Sequence, residues 1–164
     1  MTATKYELAE NTIKELHNLI LEDVNWKSKY WVELEITAID LNLLKAKGDI
    51  ENAIIVAAKV KNKIETIEKL QLINPLKIST LWHNNAAPLF RLGLDREAEI
   101  MFRKAIALNP QNWCAMVFLA RCLQKTDKFC EESQQLLIQA ASLTNQTDYE
   151  ALITHITKVN QTIY

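Results

Sequence analysis

The sequence predicts an all-α protein of stacked antiparallel helical hairpins, with capping helices at both ends. Three observations carry that expectation. Only two glycines and three prolines occur in 164 residues, too few for the sharp reversals of most all-β designs. Apolar residues recur at spacings of three and four along most of the chain, as one face of a helix requires. Residues that break this rhythm, among them Gly48, Pro75, Gly93 and Pro110, divide the chain into segments of helical length. A hydrophobic content of 49% is enough to bury a continuous core and argues against disorder.

The first helix is expected over Tyr6 to Val24, where Leu8, Ile13, Leu16, Leu19, Ile20 and Val24 share a face. A second runs from Trp26 to about Lys47, its apolar set including Trp31, Leu34, Ile39, Leu41 and Leu44. Trp26 and Trp31 are five apart, which suits wedging of neighbouring helices better than a cage within one turn. Gly48 can take the left-handed conformation that ends a helix, and Asp49 can cap the next. That third helix is predicted to reach about Leu72, with Ala53, Ala57 and Ala58 permitting close approach of another helix. Pro75 marks an interruption, because it lacks the amide donor and restrains Asn74 away from helical geometry.

Beyond Pro75, Trp82, Ala86, Leu89 and Phe90 lie on or beside one helical face, and Gly93 supplies a turn. Ala98, Phe102 and Ala105 continue the pattern on a helix that ends before Pro110. Asp95 and Glu97 open that helix and Arg103 with Lys104 fall towards its other end, in keeping with the helix dipole. Pro88 sits within the preceding helix, so a break or distortion is expected from Asn84 to Pro88. Another apolar helix follows from about Asn112 to Lys125, interrupted at Thr126 and Asp127. Its partner spans Glu131 to Leu143, with Leu136, Leu137, Ala140 and Ala141 facing inward. A last helix, capped by Thr147 or Asp148, runs towards Thr162 with Ala151, Ile153, Ile156 and Val159 on its apolar side.

The segment from Ser79 to Asn112 resembles a tetratricopeptide repeat. The likeness lies in Trp82, Ala86 and Leu89, then Gly93, then Ala98, Phe102 and Ala105, and finally Pro110. Small residues let two helices cross closely, while Trp82 and Phe102 fill the spaces between them. A second unit from Trp113 to about Thr147 looks related through Leu119, Ala120, Leu123 and Ala140, although Asp127 replaces the turn glycine and no closing proline follows. Leu44, Gly48, Ala53 and Val60 preserve a fainter copy upstream. The resemblance implies one helical-repeat domain over residues 1–164, coiled as a superhelix. Residues 1–75 would hold N-terminal helices with a degenerate repeat, 79–147 two repeats, and 148–164 a C-terminal cap.

Tetratricopeptide proteins commonly hold proteins or peptides along a concave face, so the resemblance implies a noncovalent scaffold or adaptor. Its candidate partner-binding residues are His83, Asn84 and Arg91 in the first repeat, and Val117, Phe118, Arg121 and Lys125 in the second. Arg121 could grip a carboxylate with two parallel hydrogen bonds. Phe118 and His83 have equally plain structural readings, as a core ring and a surface or structural imidazole. Some family members clamp a partner's C-terminal carboxylate with lysine, asparagine and arginine. Asn84 and Asn42 match two such places, but Ala38, Cys114 and Phe118 stand where basic residues are expected, which argues against that clamp.

Chemistry is not predicted. There is no glycine-rich phosphate loop, no histidine pair on one turn and no organised nucleophile set, so no catalytic, cofactor or metal residues are proposed. With 19 basic and 20 acidic side chains the chain lacks a broad field for nucleic acid. The run Lys59, Lys61 and Lys63 is soon interrupted by Glu65 and Glu68. No stretch approaches the roughly 18 apolar residues of a membrane span, and the N-terminal residues do not look like a secretory signal, so the expected location is cytoplasmic. Cys114 and Cys122 are separated by about 12 Å of helical rise, too far for a disulfide; free thiols are expected. The N-terminal helices could cap the stack or bury their apolar surface against a second copy, making a homo-oligomer.

Overall fold

A computed structural model of the chain describes residues 4–23, 26–71, 73–126 and 130–161. Eight α-helices account for nearly all of them: α1 (Lys5–Asp23), α2 (Trp26–Lys47), α3 (Ile50–Lys69), α4 (Pro75–Arg91), α5 (Asp95–Leu108), α6 (Trp113–Thr126), α7 (Glu131–Leu143) and α8 (Gln146–Gln161). The protein is all-helical; no strand occurs among the described residues. The side chains of Leu16, Leu19, Ile20, Trp26, Trp31, Ile156 and Val159, and all of Val24 and Asp127, lie outside the described set, and with them the readings given to those positions.

Local chemistry sets the breaks. Gly48 and Gly93 close α2 and α4 with φ of 69° and 81°, a region costly for any residue carrying a Cβ. Asp49 caps α3 by accepting from the amide of Asn52 at 3.2 Å. α3 ends earlier than the apolar pattern suggested, at Lys69, and Gln71 turns the chain with φ of 50°. Asn74 is extended and caps α4, its side chain accepting from the amide of Leu76 at 2.8 Å. Pro75 then takes the first helical position, where a missing N–H costs nothing. Asn145, rather than Thr147 or Asp148, caps α8 by accepting from the amide of Asp148.

Contacts follow chain order. α2 packs on α3, α4 on α5 and α6 on α7. In addition α4 touches both α2 and α3, α6 touches both α4 and α5, and α8 touches both α6 and α7. Side-chain bonds fix the directions. Asn84 on α4 reaches Glu35 on α2, and Arg91 reaches Asn42, each pair 49 residues apart. A constant offset over seven residues means that α2 and α4 run parallel, so α3 between them in sequence runs antiparallel to both. Lys63 on α3 pairs with Glu33 on α2 in the same antiparallel sense.

One core runs through α2 to α7, including Leu34, Leu41, Ile64, Trp82, Phe90, Phe102 and Met116. Ala86 of α4 and Ala98 and Ala105 of α5 are fully buried, and α4 and α5 pack on each other. A smaller cluster joins Ile13 of α1 to Ile36 of α2. α2 thus buries two separate faces, which is why no single apolar stripe marks it. Tyr6 adds a hydroxyl bond to the carbonyl of Ala46, and Lys47 pairs with Glu10.

Several expectations need correction. α4 is one continuous helix through Pro88; contacts with four other helices hold it together where proline removes a backbone bond. Ala58 and Ala141 are exposed, whereas Ala53, Ala57 and Ala140 are buried. Ile39 is 51% exposed rather than core. Arg103 and Lys104 precede the last turn of α5, which carries no basic residue; Arg103 instead bonds Glu99 and Glu132.

Candidate functional site

Parallel packing of α2 and α4 leaves an open groove of about 430 Å³ between α2, α4, α6 and α8. α2 contributes Glu35, Ala38, Ile39 and Asn42; α4 contributes His83, Asn84, Ala87, Pro88 and Arg91. Phe118 enters from α6 and Leu152 from α8. The α2 set has the spacing zero, three, four and seven, one stripe of a helix. Asn84, Ala87, Pro88 and Arg91 repeat that spacing, each 49 residues beyond its α2 counterpart. Small residues face each other at the middle, and polar residues face each other at the two ends.

At one end, Asn84 Nδ2 donates to both carboxylate oxygens of Glu35, 3.3 Å from each. At the other, Arg91 Nη1 donates to Asn42 Oδ1 at 3.4 Å. Both lie near the long limit of useful hydrogen bonds. Phe118 forms the aromatic floor. Its ring stacks on Phe102 at 5.3 Å, meets His83 and Phe90 edge-on at 5.5 and 5.6 Å, and lies 5.9 Å beneath the Arg91 guanidinium.

Burial and the Arg91 charge act on the basic groups nearby. Burial pulls the proton affinity of Arg91 down. Lys45 is lowered by its own burial and then by the nearby Arg91 charge. His83 falls from 6.5 to about 4, through burial first and Arg91 second, so its imidazole is neutral near pH 7. Its Nδ1 is buried without a hydrogen-bond partner among the described residues.

Of the seven residues singled out from sequence, the groove brings together His83, Asn84, Arg91 and Phe118. The other three stand elsewhere. Val117 is fully buried and cannot touch a partner. Arg121 donates Nη1 to Gln124 at 2.8 Å, and its Nε is buried without a partner among the described residues. Lys125 pairs with Asp95 at 2.7 Å and covers the Phe90 ring at 4.2 Å. Sequence reasoning did not select Glu35, Ile39, Pro88 or Leu152 as site residues. The α2 stripe was available as a signal, but its apolar members resemble core positions.

Burial raises the thiols of Cys114 and Cys122, the latter up to about 12; all three cysteines are free. Among the described residues no three His, Cys, Asp or Glu side chains gather as a metal site, and no helix is long and apolar enough to cross a membrane. No protein-family model, curated protein or solved structure matches the chain.

Proposed function

We propose that this chain is a noncovalent scaffold or adaptor that holds a segment of another protein in the groove between α2, α4, α6 and α8, in the manner of tetratricopeptide repeats. The observation that carries the reading is the groove itself, whose volume falls within the range of ligand sites. Its floor is apolar, from Ala38, Ala87 and Phe118, while its ends carry exchangeable polar contacts. Apolar area supplies affinity in such a site, and a few placed polar groups supply register. Three free thiols suit a reducing compartment such as the cytoplasm.

The test is to select binders on the full chain from a displayed random peptide library, then measure the recovered peptides against Ile39→Arg. Ile39 is half exposed on the groove's rim, so the substitution blocks the groove without opening the core. Binding should fall at least about tenfold, the loss expected when a contact patch is replaced by a charge. Equal affinity for the original and the variant chain would refute the groove.

A second reading, self-association, draws on Ile50, Ile54 and Ile55, each over two-fifths exposed on α3. A mass that doubles with concentration in sedimentation, and reverts in Ile54→Lys, would support it.

A further inference from the structure

At one end of the groove a carboxylate stands without a cation. Glu35 forms no ion pair among the described residues, and its oxygens accept only from Asn84 Nδ2, at 3.3 Å each. Lys63 on α3 is held by Glu33, two residues away, rather than by Glu35. A carboxylate offers about four acceptor sites, so a single amide nitrogen leaves most of them open. Further acceptors stand beside it. Asn84 commits its amide nitrogen to Glu35, which leaves its Oδ1 to accept. Pro88 has no N–H, so the main-chain carbonyl of Asn84, four residues back, loses its helical donor. Asn84 and Pro88 both line the groove, as does His83, whose Nδ1 is buried without a partner among the described residues.

We propose that this end of the groove anchors a lysine or arginine side chain of the bound segment, its N–H groups on Glu35 and the oxygens of Asn84, its methylene stem along Ala38, Ala87 and Phe118. This rests on the groove reading given above and names the anchor of its ligand. An excess of acceptors selects a cation that carries several donors, as an ammonium or a guanidinium does. A metal ion fits less well. Calcium takes about six to eight oxygen ligands, whereas Glu35 is the single carboxylate lining the groove. Ala38, Ala87 and Phe118 are each less than a tenth exposed, and long basic side chains lay their stems on apolar surface while the charged head stays among polar groups. Arg91 opposes a cation, but it bonds Asn42, seven residues beyond Glu35 on α2 and so about 10 Å along the helix. At equal dielectric a charge in contact at about 3 Å acts roughly three times more strongly than one at that distance, so Glu35 decides the sign.

A double-mutant cycle tests this with the peptides recovered on the full chain from a displayed random library and weakened by Ile39→Arg. Each is resynthesised acetylated and amidated, so that only a side chain can supply the cation, and titrated by fluorescence anisotropy. Every Lys is then replaced in turn by norleucine and every Arg by citrulline. At one basic position the neutral replacement should cost at least about tenfold, as loss of a hydrogen bond between charged groups implies. Against Glu35→Gln, with helicity by circular dichroism unchanged, the same replacement should cost less than about twofold. If Glu35→Gln loses helicity, Glu35→Asp, which withdraws the carboxylate by one methylene, takes its place and should at least halve the cost of the replacement. Groove binders that carry no basic residue, or that tolerate its neutral replacement, would overturn the anchor and leave the groove standing. So would a tenfold loss that persists undiminished in the Glu35 variant, since the base then binds elsewhere, or binding that requires a free N-terminal amine. If the library yields no peptide sensitive to Ile39→Arg, the groove reading falls and this inference falls with it.

Discussion

Ser79 on α4 donates its hydroxyl to the main-chain carbonyl of Ala105 on α5 at 2.7 Å, and both residues are fully buried. The same hydroxyl accepts from Asn112 Nδ2 at 3.0 Å, while Asn112 Oδ1 accepts from the amide of Ala115 in the first turn of α6. Two small polar side chains therefore tie three successive helices at the end of the stack opposite the Gly93 turn. Ala105 lies near the C-terminus of α5, where carbonyls run short of helical donors.

Ser79→Ala removes one bond from each of two groups, the Ala105 carbonyl and the Asn112 amide. The variant should lose about 1–2 kcal/mol, read as a lower urea midpoint with an unchanged slope. A loss within a few tenths of a kcal/mol would mean that solvent or Asn109, whose amide also reaches Ala105, compensates fully.

His83 makes stability depend on pH in a defined window. Its folded-state pKa of about 4 lies below the ordinary 6.5, so the unfolded chain takes up the proton first. The contribution is complete above about pH 6.5 and is lost as pH falls through about 4. At most about 3 kcal/mol is at stake, since each tenfold change in proton affinity is worth about 1.4 kcal/mol. Urea midpoints at pH 7 and pH 4.5 should therefore differ less in His83→Gln than in the original protein.

Thiol labelling should follow burial. Cys122 is buried with its pKa up to about 12, while Cys114 and Cys130 are partly exposed. Because the thiolate is the nucleophile, iodoacetamide at pH 8 should modify Cys122 last in the folded protein. Peptide mass spectrometry should find it fully alkylated only after denaturation.

Arg103 joins α5 to α7 by a fork onto both oxygens of Glu132, at 2.6 and 3.0 Å. Both partners are over two-fifths exposed, so screening by water limits the pair. Arg103→Ala should cost less than about 1 kcal/mol, and raising salt should shrink even that difference. A loss of several kcal/mol in thermal denaturation would show a structural role that exposure does not predict.

Gly93, Asp49 and Asn74 show which parts of the fold were legible. A left-handed turn, a helix cap and a non-helical residue before proline depend on residues within a few positions of each other, so the chain announces them locally. Pro88 shows the limit. Its local preference is to interrupt a helix, but α4 is packed against α2, α3, α5 and α6, and tertiary contacts override the lost bond. Val117 and Phe118 show the same limit at the site. They are neighbours on α6 with similar burial, yet of the two only Phe118 lines the groove.

By itself the sequence determined that the chain is helical, roughly where each helix begins and ends, and that Ala86, Ala98 and Ala105 are buried. Those follow from a period of 3.6 and from the backbone limits of glycine and proline. Only the tertiary structure decided that Glu35 stands beside Asn84 and Asn42 beside Arg91. Matching the hairpins by residue type pairs Leu44 with Leu89, an offset of 45, whereas the neighbours across the groove are 49 apart. That difference is about one helical turn. How far one helix slides along another is settled by side-chain packing over the whole contact, which no short stretch of sequence contains.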